Sequence, residues 1–487
     1  MIAWRCFSFT VIVLSGLAGL VPAVQAGQLF VGTATTSITP DQRVALSGQM
    51  YVRISAGVQS PCMATALAVE TRNGEESLEQ ALFISCDLVS LRGDFYGDLR
   101  KQLNGRIPEG VLPKLIVNAT HTHTGPEMED GRFILPESGV MRPGEYREFL
   151  MQKLADVAVQ AWEARAPARV AWGLGYAVVA HNRRAIYADG TAAMYGKTDN
   201  PKFRGIEGSP DSGVEILYFW DENNTLIATA INVSCPSQEV ESGTFVNADF
   251  WHQVRENIRK KHGPQVNVLT MCGAAGDQSP HLLYRKAADA RMRKLRGVDA
   301  LTEIARRIVA AWEDVLEVVQ KDQRADVPFI HQVTRIKLPP RHITEAEAVS
   351  SQQAADAIKD PKQERRRLWY LGVVDRFNAQ QAGNVPDYDM ELHAIRLGDI
   401  AIVTNDFELF TDYGVQMKAR SPALQTFIVQ LSGGGSYLPT EIAVAGGSYS
   451  AIPQSNRVGP EGGQVLVEES VKLLKSLWDK PQTNAAK

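Results

Sequence analysis

The chain lacks the charge balance of a nucleic-acid binder. It carries 51 Lys and Arg against 55 Asp and Glu, a formal net charge of -4 over 487 residues, so a broad basic field for phosphate backbones is missing. Local basic clusters at Arg255 to Lys261, Arg285 to Arg296 and Arg365 to Arg367 have helical apolar spacing and read as solvated helix faces. Cysteine is scarce. There are five, none in a CxxC pattern, which excludes the paired-cysteine zinc and redox motifs. Cys6 leaves with the N-terminus, and Cys62, Cys86, Cys235 and Cys272 allow three full pairings among which sequence does not choose. Low-complexity tracts are absent, and so is any apolar run after the N-terminus long enough to cross a bilayer. The one apolar run, Phe7 to Val21, follows Arg5 and precedes the small-residue site Val24-Gln25-Ala26. That order reads as an export signal over residues 1–26, with a mature chain from about Gly27. The expectation is an exported protein, periplasmic or secreted, with no transmembrane span in the mature chain.

What is present is an alternation of strands and helices, with no internal repeat visible. Apolar runs of strand length occur at Ala64 to Thr71, Ala81 to Val89, Leu115 to Thr120 and Val266 to Met271. Val214 to Trp220 and Thr225 to Val233 read as a hairpin across Asp221-Glu222-Asn223-Asn224. Helical spacing covers Asp94 to Leu103, Tyr146 to Ala164, Asp249 to His262, Asp299 to Val318, Phe407 to Ala419 and Gln464 to Trp478, with a charged helical stretch from Thr344 to Ala382. The pattern predicts an α/β protein, mixed β-sheets covered by helices. Residues 27–487 are expected to form one catalytic domain, with a subdivision near 321–328 left open.

Two of only nine histidines sit two residues apart in Thr120-His121-Thr122-His123-Thr124-Gly125-Pro126, straight after a β-prone stretch. In extended chain, residues i and i+2 face the same side, so the pair suits one metal ligand plus one general base, or two ligands. Taken alone, such a pair also fits two histidines bonded to nearby backbone. Three other β-prone runs end in chemically capable residues: Ser234-Cys235-Pro236-Ser237-Gln238, Gly276-Asp277-Gln278-Ser279-Pro280 and Thr404-Asn405-Asp406-Phe407-Glu408. Clefts of α/β proteins form where strands run out, so the four loops are expected to converge. Each alone has a plainer account: Glu408 as a first-turn helix acid, Ser279 as a turn residue before proline, Gly273 and Gly276 as turn glycines.

The residues carry a resemblance. Thr120-His121-Thr122-His123-Thr124-Gly125-Pro126 resembles the THTHSGP signature of the neutral (alkaline, non-lysosomal) ceramidase family. Gly276-Asp277-Gln278-Ser279-Pro280 is similar to its GDVSP segment, Asn182-Arg183 to its INR segment, and Tyr437-Leu438-Pro439-Thr440 with Tyr449 to its YxTT…Y stretch. The order agrees over most of the mature chain. The resemblance implies a zinc ion on His121, Glu408 and Tyr437, and it sets Cys235 where the family has its second histidine. A thiolate is a good zinc ligand; the other readings of Cys235 are a buried thiol and a nucleophile. The resemblance further implies general acid–base work for His123, oxyanion stabilisation by Arg183 (with Arg184 beside it) and Tyr449, and for Ser279 either nucleophilic attack or positioning. The family's additional immunoglobulin-like domain has no counterpart in the sequence. The expected activity is zinc-dependent cleavage of an N-acyl amide bond in a small-molecule or lipid substrate, ceramide or another N-acyl lipid first. The alternatives are a different amide or ester, such as cell-wall or polysaccharide material, and a ligand-binding relative without turnover.

Overall fold

The computed structural model describes residues 26–479. The expected signal lies almost wholly outside them, although Ala26 already pairs with Pro328 in the first strand.

Twelve strands form one continuous sheet, and its connectivity repeats three times. The first unit holds β1 (Ala26–Ser37), β2 (Met63–Asn73), β3 (Glu76–Cys86), α1 (Phe95–Leu103), β4 (Leu115–Ala119) and α2 (Pro143–Glu163). The second holds β5 (Ala166–Tyr176), β6 (Gly213–Asp221), β7 (Leu226–Val233), α3 (Phe250–His262) and β8 (Asn267–Cys272), then α4 (Lys286–Arg296) and α5 (Ala300–Val319). The third runs from β9 (Asp326–Leu338) through an inserted helix pair, α6 (Glu345–Ala357) and α7 (Glu364–Gln381). It continues with β10 (Tyr388–Leu397), β11 (Ile400–Thr404), α8 (Thr411–Arg420), β12 (Gln425–Val429) and α9 (Pro460–Ser476). In each unit three strands pair antiparallel, a helix crosses over, and a fourth strand returns parallel to the third: β3 with β4, β7 with β8, β11 with β12. The helical crossover is what a parallel pair requires. The charged stretch at 321–328 leads straight into β9, whose first residues pair with β1.

Burial on both faces explains the composition of the returning strands. β4 (Leu-Ile-Val-Asn-Ala) and β11 (Ile-Ala-Ile-Val-Thr) have no exposed residue, as expected for strands covered on two sides. The inner faces of all three units meet in one core that includes Leu29, Phe83, Trp172, Phe219, Met271, Phe329, Ile402 and Phe427. Each outer face is covered by two helices of its own unit: α1 and α2, α3 and α5, α8 and α9. On α5, Leu301, Ile304, Ile308 and Trp312 point inward as their spacing predicts; each such side chain stabilises by about 1.5–3 kcal/mol. On α2, Leu150, Leu154, Val157 and Ala161 are buried, whereas Phe149 is only half-buried. Among the described residues, no helix is long and apolar enough to cross a membrane, and all four cysteines are buried free thiols.

The consequence for function is positional. Six loops, after the third and fourth strand of each unit, end near the junction of the three units. They carry Val89, His121 and His123, Gln238, Gly276 to Ser279, Glu408, and Tyr437.

Candidate active site

His121 enters from the end of β4. The strand stops at Ala119, and His121 has a left-handed backbone (φ 69°), a conformation uncommon outside glycine. The expected extended alternation through His123 is therefore absent. The two imidazoles still converge: their Nε2 atoms lie 3.4 Å apart and the rings meet edge to face at 4.9 Å.

Partners orient both rings. His121 Nδ1 lies 2.6 Å from the Val89 carbonyl, which only accepts, so Nδ1 carries a proton. Its Nε2 faces Glu408 Oε2 at 3.1 Å. Gln238 settles His123. Arg183 Nη1 donates to Gln238 Oε1 at 3.1 Å, so the other end of the carboxamide is its NH2 group, which donates to His123 Nε2 at 2.8 Å. His123 Nδ1 then bears hydrogen; it is buried without a hydrogen-bond partner, 3.8 Å from Glu241 Oε2. Burial, reinforced by His121, Arg183, Arg53 and Arg92, holds the His123 pKa well below the usual imidazole range, so it is neutral at pH 7.

Glu408 and Tyr437 are register partners in a pair of two-residue parallel strands, Glu408–Leu409 and Tyr437–Leu438. This corrects the helix expected from Phe407, which begins only at Thr411. The Glu408 and Phe410 amides donate across to Ser436 O and Leu438 O, so these backbone groups are spent between segments. Burial raises the Glu408 pKa, but His121, Arg183 and Tyr437 outweigh it and leave it lowered. Gly276 makes the approach possible: a Cβ there would lie 2.3 Å from Glu408 O.

Arg183 lies at the centre, fully buried. It donates to Gly276 O at 2.8 Å and to the Tyr437 hydroxyl at 3.2 Å, while its Nε finds no partner. Burial opposes its charge, yet Tyr437, Tyr195 and Glu408 more than offset this and raise its pKa. Arg184 turns the other way, to Glu207 and to the Ala443 and Gly447 carbonyls, so it braces loops. Tyr449 stands at the rim, 37% exposed, its ring edge-on to Tyr437 at 5.6 Å.

Two expected members stand differently. Cys235 Sγ contacts Val179 O at 3.5 Å inside the apolar core, and burial beside Cys272, Asp249 and Glu239 raises its pKa well above normal. A ligand role for Cys235 is corrected by this placement: the short side chain turns into the core under α3 as a protonated thiol. Ser279 Oγ lies 3.0 Å from Tyr195 OH and accepts from the His281 amide at 3.1 Å; neither is a base, so the nucleophile option lacks its activator. The sequence reading missed Gln238, whose segment was noted for Cys235, and Glu241; a lone amide or carboxylate in a loop gives no periodic signal.

Among the described residues no three His, Cys, Asp or Glu side chains are grouped to hold a metal ion. His121 Nε2, His123 Nε2 and the Glu408 carboxylate nevertheless converge, with Tyr437 alongside. An imidazole nitrogen 3.1 Å from a carboxylate oxygen calls for a proton or a cation between them. His121, Glu408 and Tyr437 therefore fit a zinc ion as three protein donors; Cys235 does not.

No family profile and no curated protein matches the sequence. Solved structures do match. Neutral ceramidase from Pseudomonas aeruginosa superimposes with a TM-score of 0.67 at 16% identity, covering 92% of this chain and 75% of that one. A ceramidase complexed with C2 gives 0.65 at 13% identity, covering 95% and 77%. The chain has the neutral ceramidase fold, mixed sheet and covering helices included.

Proposed function

We propose that the chain is a hydrolase of N-acyl amide bonds, related to the neutral ceramidases and exported through its N-terminal apolar segment. The observation that carries this reading is the convergence of His121, His123, Glu408, Tyr437 and Arg183 in a fold shared with those enzymes.

Zinc held by His121, Glu408 and Tyr437 would supply Lewis acidity to water and to the scissile carbonyl. The remaining work belongs to side chains. Neutral His123 accepts the proton of the attacking water at Nε2, in place of the Gln238 hydrogen bond. The imidazolium then delivers that proton from Nε2 to the departing nitrogen, which is bonded to the same carbon. The C–N bond breaks, water oxygen bonds to the acyl carbon, and a carboxylic acid and an amine result. Arg183, with an unspent Nε–H, and Tyr449 at the rim are the donors for the developing oxyanion. Ser279 acts by positioning, through Tyr195 and the backbone of His281.

The test is incubation of the purified protein with a panel of N-acyl amines, ceramide included, assaying acid and amine together. Turnover abolished in His123→Ala supports the reading. Equal inactivity of both proteins across the panel favours ligand binding without turnover, a reading to which the inward turn of Cys235 lends weight.

A further inference from the structure

Three arginines from separate segments gather around one buried carboxylate, that of Glu127. Arg92 lies in the loop after β3, Arg132 in the loop between β4 and α2, and Arg365 on α7 of the inserted helix pair. Arg92 Nε is 3.8 Å from Glu127 Oε1, and Arg132 Nε is 3.3 Å from Glu127 Oε2. The Arg365 guanidinium rests over the Phe133 ring, 4.7 Å from its centre, and donates to the Gln49 carbonyl.

The cluster adjoins the reaction centre on two sides. Arg92 shares its loop with Val89, whose carbonyl holds His121 Nδ1. On α7, one turn beyond Arg365, Trp369 sets its ring 6.1 Å from that of Tyr449 at the rim. Charge is felt across the same space. Burial and Arg132 lower the Arg92 pKa, and Glu127, Glu129 and Glu408 oppose them. Burial, Arg132 and Arg92 lower that of Arg365 to about 10, against Glu127 and Tyr449.

The bonding of these cations is unfinished. Glu127 already accepts from Ser47 Oγ at 2.9 Å and from the Met128 and Glu129 amides at 3.1 and 3.2 Å. Glu129 serves Arg132 Nη1 at 2.8 Å. Among the described residues, the Arg92 side chain donates no hydrogen bond, nor does Arg132 Nε. Both side chains are 22% exposed, within reach of a ligand. Neighbouring cations are occupied: Arg147 by Asp98 and the Arg92 carbonyl, Arg53 by four backbone carbonyls. An alkyl chain laid on Arg92 would strip its water and return nothing. A carboxylate would accept from the forked N–H groups in good geometry.

We propose that Arg92, Arg132 and Arg365 form an anion subsite at the mouth of the active site, and that the substrate is an N-acyl compound carrying a carboxylate close to the scissile amide. The inference rests on the reading of the site as an N-acyl amide hydrolase. It makes the inserted helix pair, through Arg365, a determinant of specificity.

The test is calorimetric binding to the full mature protein carrying His123→Ala, which removes turnover. One probe is N-octanoylglycine, with its carboxylate on the amine half. The other is the mono-octylamide of succinic acid, with its carboxylate on the acyl half. Each is compared with its neutral carboxamide. At least one acid should bind about tenfold tighter than its carboxamide, and which one does so identifies the half that carries the charge. That preference should fall by about tenfold in Arg92→Gln and in Arg365→Gln. Arg365 sits half-buried on the inserted helix, so its variant keeps the test open if Arg92→Gln does not fold. Equal affinity of acid and carboxamide in both pairs, or no saturable binding of any probe, would overturn the proposal. So would a preference that survives in both arginine variants and disappears in His121→Ala, which would place the anion at the His121–Glu408 centre. Arginine-dependent binding of acids with no hydrolysis of any N-acyl compound by the wild type would keep the subsite and sink the hydrolase. Hydrolysis of neutral N-acyl amines with no preference for acids would do the reverse.

Discussion

Gln238 donates to His123 Nε2 at 2.8 Å because Arg183 has already claimed the carboxamide oxygen at 3.1 Å. The orientation of one imidazole is thereby set by a guanidinium that never touches it. Gln238→Leu is expected to lower kcat/KM by about 10–100-fold with little change in KM. Nitrogen NMR of the His123 ring should show loss of the single tautomer. A fall in activity with the tautomer intact would count against a positioning role.

Metal content separates His121 from Cys235. Wild type and Cys235→Ser should each hold about one zinc per chain, and His121→Ala none, by elemental analysis. Cys235→Ser should still cost about 1–3 kcal/mol in urea unfolding, since it places a hydroxyl in an apolar core. Zinc lost in Cys235→Ser would restore the thiol to the ligand set.

Gly276→Ala is expected to destabilise by about 1–3 kcal/mol and to reduce activity steeply. The added carbon would meet the Glu408 carbonyl at 2.3 Å, displacing the strand pair that aligns Glu408 with Tyr437. Unfolding curves and turnover measured on the same preparation check both parts.

The contribution of Asp249 to stability should fall as pH rises from about 4 to about 7. Asp249, capping α3 from a buried position, has its pKa raised to about 7, mainly by burial and further by Glu239. Between its unfolded and folded pKa values the native state binds the extra proton, so the slope of stability with pH is negative. Asp249→Asn keeps an acceptor for the Phe250 amide and should flatten that slope. An unchanged slope in the variant would assign the effect to other buried acids such as Asp406.

Much of this was readable beforehand. The amphipathic helices announced themselves by spacing, the four polar strand ends by position, and the convergence of His121, His123, Glu408 and Tyr437 by motif order. The threefold connectivity was invisible because it repeats in topology while each unit packs its own side chains. The Glu408 segment was misread as helix because its apolar neighbours Phe407, Leu409 and Phe410 mimic helical spacing, whereas its backbone bonds run to a segment far along the chain. Cys235 was read from its alignment with a histidine; a thiol is shorter and less polar, and the apolar core claims it.

Placing the reactive group at the meeting point of three units ties its fate to all of them. His121 belongs to the first, Gln238 to the second, Glu408 and Tyr437 to the third. Whatever is bound between them acts as a pin, and its binding free energy adds to the unfolding free energy of the entire domain rather than to one lobe. Saturation with ligand should therefore slow hydrogen exchange in β4, β8 and β12 together, and no fragment of the chain should retain a share of the site.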